Sequence, residues 1–216
     1  MQCVKEAVIL AAGLGSRLGL NMPKCLVEIG GKAIIDYNLE LLEDIPNIYV
    51  VVGYEKDKVI KHVKKVRNDA IFIENSNFAS TSNTYSLYLG LKYVKEPYLL
   101  LFGDVIFNKN DFKTFINNCN DETVVGLTLA KSEEAVFADV GKESLMIKNF
   151  QRRPPTGYEI AGIFYFKDIK ITKNDGYVFE VLNKYLPLKY FLLKSYEIDT
   201  KKDLNFAVKN LNELEL

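Results

Sequence analysis

The sequence predicts an α/β fold of three layers, with helices on both faces of a mostly parallel mixed sheet. Three observations carry that expectation. Strand and helix patterns alternate through the first half with short connections. The strands there are continuous apolar runs, as suits strands buried on both faces. The second half turns β-rich, with hairpin-like connections. A length of 216 residues suits one domain with a full hydrophobic core. With no repeat, low-complexity run or clear linker, a single domain over 1–216 is expected.

The elements run in order. "AVILAA" is a short apolar run that stops at two alanines. "AIIDYNLELLED" has apolar residues at helical spacing, and "NIYVVVGY" is a second buried strand. "KDKVIKHVKKV" is a helix with Val59, Ile60, Val63 and Val66 on one face and lysines on the other. "AIFIEN" is a strand. "STSNTYSLYLGLKYV" opens on small polar residues that can cap a helix and then turns amphipathic. "PYLLLFGD" is a strand ending on Gly103-Asp104, and "NDFKTFINNC" is a helix. Next come four strands, "ETVVGLTLA", "VFADVG", "SLMIKNFQ" and "YEIAGIFYFK", then a helix in "GYVFEVLNKYLP". "KSYEIDTKKDLNFAVKNLNEL" reads as a strand and a capped helix. Thr200 with Asp203 three residues on resembles a capping box.

Composition removes several function classes. Apolar residues make up 48% and charged residues 26%, a globular balance, and the formal net charge is zero. A nucleic-acid binder would carry a basic excess or stripe, so no nucleic-acid partner is expected. No segment is long and apolar enough to span a bilayer, and Lys5 and Glu6 interrupt the early apolar run, so neither a membrane partner nor a signal peptide is expected. Cys3, Cys25 and Cys119 are scattered and form no CxxC pair, which argues for a reducing, cytoplasmic setting. The one histidine, His62, lies in the lysine-rich helix and reads as solvated, so multi-histidine metal chemistry is excluded.

Chemistry concentrates in "VILAAGLGSRLGLNMPK", Val8 to Lys24. Glycines after a strand let backbone N–H groups approach phosphate oxygens closely. A Walker A loop needs G-x-x-x-x-G-K-[ST], but here Lys24 follows Pro23 and precedes Cys25. A dinucleotide fingerprint needs G-x-G-x-x-G, but Leu18 stands in the third position and Gly19 comes one place late.

A third pattern fits. "LAAGLGSRLGLNMPK" resembles the LAAGxGxR…PK signature of nucleotidyltransferases that activate sugar phosphates and small alcohol phosphates. The short interval from Arg17 to Pro23-Lys24 resembles cytidylyltransferases acting on small head groups. "NSNFASTSNTYSLYLG" resembles the Asn- and Ser-rich segment of the phosphocholine and aminoethylphosphonate cytidylyltransferases. "LLLFGDVIF" resembles the Gly-Asp metal strand of these enzymes, and "YEIDTKKDL" their C-terminal strand-Asp-helix. The resemblance runs end to end and is weakest from about Asp121 to Tyr158. It implies a Rossmann-like, GT-A-like nucleotidyltransferase fold and transfer of CMP from CTP to a small phosphorylated acceptor, with Mg²⁺ as cofactor.

It also implies roles. Arg17 would grip the β- and γ-phosphates, and Lys24 would sit between the nucleophilic and α-phosphates. Leu10, Ala11, Ala12, Gly13, Gly15, Ser16 and Gly103 would line the nucleotide, and Ser82 and Asn83 would offer polar contacts unless they cap a helix. Asp104 ends a strand, where α/β sheets bind ligands, and by resemblance it shares Mg²⁺ with Asp199. The plain alternative for Asp199 is an N-cap. Glu159 and Gly162 match the acceptor-facing strand, and Arg152, Arg153 and Tyr158 stand beside them, with Tyr165 and Tyr177 also available. The chain has no Trp, so an ammonium cage would be built from Tyr and Phe. Phosphocholine, aminoethylphosphonate and phosphoglutamine stay open as acceptors, with capsule or surface-glycan decoration as a setting. The rivals are a hexose-1-phosphate nucleotidyltransferase and a nucleotide-sensing domain without turnover.

Overall fold

The computed structural model describes residues 4–95, 97–131 and 134–216. Cys3 lies outside them. The first strand, β1 (Glu6–Ala11), is buried along almost its whole length, as its unbroken apolar run requires. After two short 3₁₀ turns, Ser16–Leu18 and Lys24–Leu26, come a two-residue ribbon, β2 (Glu28–Ile29) and β3 (Lys32–Ala33), and helix α1 (Ile34–Leu41). Strand β4 (Asn47–Val52), helix α2 (Lys56–Val66), β5 (Ile71–Glu74), α3 (Asn83–Gly90) and β6 (Tyr98–Phe102) complete the alternating half. Then come β7 (Val105–Phe107), α4 (Lys109–Asn117), β8 (Val124–Leu129), β9 (Phe137–Val140), β10 (Ile147–Gln151) and β11 (Tyr158–Phe166). The chain closes with α5 (Val178–Leu182), β12 (Lys189–Leu192), β13 (Ser195–Glu197) and α6 (Lys201–Lys209).

Among the described residues the main sheet has nine strands, seven of them in the order β10-β9-β11-β6-β1-β4-β5, with β8 between β11 and β12. Strands β6, β1, β4 and β5 are mutually parallel, and β11 runs antiparallel to β6, β8 and β9. One apolar cluster packs α1, α2 and α4 on one face of the sheet. A second packs α3 and α5 on the other. The three layers are those expected.

Several details differ from the sequence reading. Strands β8 and β9 form no hairpin; β8 pairs with β11 and, in parallel, with β12. Strands β7 and β12 were not foreseen, because three- or four-residue runs carry too little periodicity to be read. Helix α3 stops at Gly90, where a Cβ would already meet Val51 and Val8 at 3.1 and 3.2 Å. His62 is not simply solvated, since its Nε2 lies 2.8 Å from Asp36 and pins α2 to α1. Tyr165 is fully buried, its hydroxyl donating to the Asn120 carbonyl at 3.0 Å, so it is unavailable to an acceptor.

The register of β11 decides where its first residues lie. Ile163 pairs with Leu101 and Phe166 with Tyr98. The earlier residues Tyr158 and Glu159 therefore project past the carboxyl end of β6, over the crevice where α/β sheets bind ligands.

Candidate functional site

The loop after β1 is built for close approach. Gly15 has φ +64°, and a Cβ there would stand 2.6 Å from Lys24 Cγ. Only glycine holds this turn without strain while letting Lys24 lie against it. Ser16 and Arg17 come next in the first 3₁₀ turn, and Leu18 anchors the loop in a third apolar cluster with Val27, Ile29, Ile34, Tyr196 and Ile198. Pro23 opens the second 3₁₀ turn, and Cys25, 2% exposed, locks it to the core. Lys24 is thus held on two sides.

Leu10, Ala11, Gly13, Lys24, Gly103 and Asp104 line a small cleft at the ends of β1 and β6, and Cys25 forms part of its wall. The Gly103 N–H donates to the Leu10 carbonyl at 2.9 Å, and the Tyr54 N–H to the Ala12 carbonyl at 3.1 Å. The Leu10 and Ala12 carbonyls, on residues expected to line the nucleotide, are therefore engaged in holding neighbouring segments. A Cβ on Gly13 would meet nothing within 4 Å, so that edge of the cleft is open. Burial pushes the Cys25 thiol up to about 12, helped by the charge of Asp104, so it is an inert wall.

Asp104 and Asp199, 95 positions apart, meet because β7 and β13 form an antiparallel pair. Val105 sits opposite Glu197, and the Ile198 N–H donates to the Asp104 carbonyl at 2.9 Å. Lys24 Nζ then donates to Asp104 Oδ2 at 2.9 Å and to Asp199 Oδ1. Arg17 reaches the other Asp199 oxygen at 2.8 Å from a largely exposed position. Burial pulls the Lys24 ammonium down, but the two aspartate charges and their hydrogen bonds outweigh it and hold the pKa above its ordinary value. Lys24 is a fixed cation.

The N-cap of α6 is Thr200, not Asp199. The Asp203 N–H donates to Thr200 Oγ1 at 3.3 Å, and Asp203 Oδ2 accepts from the Thr200 N–H at 2.8 Å, the reciprocal pair of a capping box. Asp199 is thereby left to the cluster. Ser82 does cap α3, accepting from the Tyr85 N–H at 3.3 Å, and Asn83 is the first helical residue.

The sequence reading missed Glu197. Its carboxylate joins Asp104 and Asp199 in a group whose oxygens lie within 4.8 Å of one another, the one such group among the described residues. A signal was available: Glu197 and Asp199 are two apart on an extended segment, so their side chains share a face. Surrounding protein pushes the Glu197 carboxyl up to about 8, together with the charges of Asp104, Asp199 and Glu159 and against the pull of Lys24. Glu197 is nevertheless exposed to solvent, so the neighbouring carboxylate charges are the firm cause of the upward shift. Three carboxylates offer hard oxygen donors that could hold a divalent cation.

The acceptor candidates divide. Glu159 accepts from the Lys131 N–H at 3.1 Å and acts electrostatically on Glu197, so it belongs to the same crevice. Gly162, at φ +80°, makes the bulge of β11; a Cβ there would meet Val105 Cγ2 at 2.8 Å. Tyr158 packs near the Tyr190 ring, centroids 6.3 Å apart. Arg152 instead lies over the stacked rings of Tyr177 and Phe179, at 5.1 and 5.4 Å, and Arg153 is its neighbour on the surface.

Comparison with known proteins gives the chain's family and fold. Residues 7–147 match the MobA-like NTP transferase domain family. The chain is 34% identical over 190 residues to the bifunctional protein GlmU of Methanococcus vannielii, covering 84% of this chain and 44% of that one. It is 33% identical over 131 residues to the choline-phosphate cytidylyltransferase of Streptococcus pneumoniae, covering 54% and 56%. The chain spans about half the length of the curated relatives it matches. The inositol-1-phosphate CTP transferase of T. maritima shares the fold, with a TM-score of 0.79 at 21% identity over 99% of this chain and 97% of that one. With well over half of its length matched, the glycine loop and Asp104 included, the chain belongs to the family of MobA-like NTP transferase domains.

Proposed function

We propose that the chain is a cytidylyltransferase that works as one domain over 1–216. It would transfer CMP from CTP to a small phosphorylated head group and release pyrophosphate. The observation that carries this reading is the Lys24 ammonium bridging Asp104 and Asp199 at the mouth of the glycine loop. Attack by an acceptor phosphate oxygen on the α-phosphorus forms one P–O bond and breaks the bond to the pyrophosphate oxygen. The nucleophile is already anionic, so no general base is required. The task is to bring two anions together and neutralise charge as it shifts.

Arg17, exposed at the rim, turns to the β- and γ-phosphates of CTP. Lys24 stands between the α-phosphate and the incoming phosphate and screens their repulsion. Asp104 and Asp199, with Glu197 beside them, would hold Mg²⁺. When bound, the ion polarises the α-phosphate and neutralises charge on the departing pyrophosphate. Glu159, Gly162 and Tyr158 form the acceptor side, with Arg152 and Arg153 as its outer cations. The preference for cytidine rests on the sequence resemblance and on the choline-phosphate relative. A cytoplasmic setting and a role in capsule or surface-glycan decoration complete the proposal.

Incubation with Mg²⁺, each of the four nucleoside triphosphates and a panel of phosphorylated acceptors tests it, with pyrophosphate as the readout. Release with CTP and an alcohol or amide phosphate is the expected result. Preference for UTP or dTTP with glucose 1-phosphate would replace it with the hexose-1-phosphate reading. No release with any pair would leave a nucleotide-sensing domain.

A further inference from the structure

A second concavity, independent of the catalytic reading, lies on the other side of β13. Its volume is about 420 Å³, within the range of small-molecule sites. Leu129, Leu192, Leu193, Tyr196 and Phe206 form its walls, and Lys131 enters from one side. Leu129, Leu192 and Phe206 are 65, 45 and 48% exposed, so the apolar surface stands open to solvent.

The charges around it are unequal in their engagement. Glu213 is occupied by Lys194 and by the Tyr196 hydroxyl, each at 3.0 Å. Asp111 accepts from the Lys194 N–H at 2.8 Å. The Lys131 ammonium, in contrast, donates to the Ser195 carbonyl at 2.7 Å and lies over the Tyr196 ring at 4.6 Å. Among the described residues it has no carboxylate within ion-pair distance. Desolvation and the nearby charge of Lys194 pull it below its ordinary value, with Glu159 and Glu213 only partly restoring it. A cation held at the rim of an apolar hollow by a carbonyl and a ring, with no carboxylate among the described residues paired to it, is placed to meet the anionic end of a ligand seated there.

We propose that this groove is a second ligand site, which takes a small molecule with an apolar body ended by one anionic group, a carboxylate or a phosphate monoester. The body displaces water from the leucine and aromatic walls, and the anion pairs with Lys131.

The full chain is titrated with 1-anilinonaphthalene-8-sulfonate, an apolar fluorophore bearing one anionic group, and the bound dye is competed with octanoate, octyl phosphate and octanol. The expected result is one saturable dye site, with octanoate or octyl phosphate competing about tenfold or more better than octanol. The better of the two anions identifies the head group. In Lys131→Met the advantage of the anions over octanol should vanish, and Lys131→Arg should keep it. Equal competition by octanol on the unaltered protein overturns the proposal without recourse to any variant. So does the absence of saturable dye binding. A dimer in sedimentation that Phe206→Glu dissociates would also overturn it, because the groove would then be filled by a second copy.

Discussion

Single residues carry the strictest demands at the glycine loop and the carboxylate cluster. Alanine at Gly15 would take a left-handed conformation and push its Cβ into Lys24. Gly15→Ala should cost about 1 kcal/mol of stability, measured by urea unfolding, and lower turnover by more than that loss of folded protein explains. Asp104→Asn and Lys24→Ala should each cut pyrophosphate release by about 10² or more, the scale of removing one preorganised charged contact, while the circular dichroism spectrum stays unchanged. Near-normal rates in either would mean that the chemistry lies elsewhere. Arg17 and Lys24 could be picked out from the sequence because they hold fixed places in one long signature, and Asp104 and Asp199 because each ends a strand-like segment that resembles one of the family's. Glu197 was passed over because a lone acid on a three-residue strand looks ordinary until its partner strand is known. Tyr165 was misjudged for the complementary reason: a tyrosine in a strand looks the same whether its face meets solvent or the core.

At the level of elements, the capping box of α6 does two jobs. Asp203 Oδ2 accepts from the Thr200 N–H and, at 3.3 Å, from the Asp199 N–H, so the cap that starts the helix also steadies the backbone under Asp199. Thr200→Ala should destabilise by about 1 kcal/mol, read as a lower urea midpoint, and Thr200→Ser should restore most of it. A midpoint unchanged in the alanine variant would show that the cap contributes nothing. Strands β1, β4 and β6 were legible because sheet burial on both faces leaves an unbroken apolar run. The pairing of β7 with β13 was not, though it assembles the carboxylates. Each is three residues long, and their partnership is fixed by packing between distant segments rather than by local pattern.

For the molecule as a whole, the third apolar cluster joins the ends of the chain. Leu18 and Ile29 from the N-terminal part pack with Tyr196, Ile198, Ala207 and Leu214 from the C-terminal part. The candidate active site therefore exists only once both ends have met, which no local pattern in either half could reveal. Acid sensitivity also belongs to this scale. Asp175 accepts from Lys184 at 2.8 Å and from the Thr172 N–H at 2.6 Å, and these contacts hold its pKa below the ordinary value. A carboxyl depressed in the folded state binds fewer protons there than in the unfolded chain. Its contribution is complete above the unfolded value of roughly 3.9 and is lost as pH falls through the lower, folded one. Between pH 6 and pH 3 the urea midpoint of the unaltered chain should fall further than that of Asp175→Asn. Equal falls would remove Asp175 from the account. The contribution is modest, since Lys184 is open to water and screened.

The lysine clasped between Asp104 and Asp199 has one more implication. Where two acids converge, the chain supplies a tethered positive charge of its own, so a divalent ion arriving alone must evict a tenant before it can settle. Nucleotide phosphates change the terms, since they offer Lys24 and Arg17 another berth. Calorimetry without nucleotide should therefore find Mg²⁺ bound only weakly by the unaltered chain and several-fold more tightly by Lys24→Met. Equal affinities would mean that the ion and the ammonium do not contend for the same ground. On the proposed reading, Lys24 keeps two of the acids paired until nucleotide phosphates draw it away, so the ion would bind well only with the nucleotide.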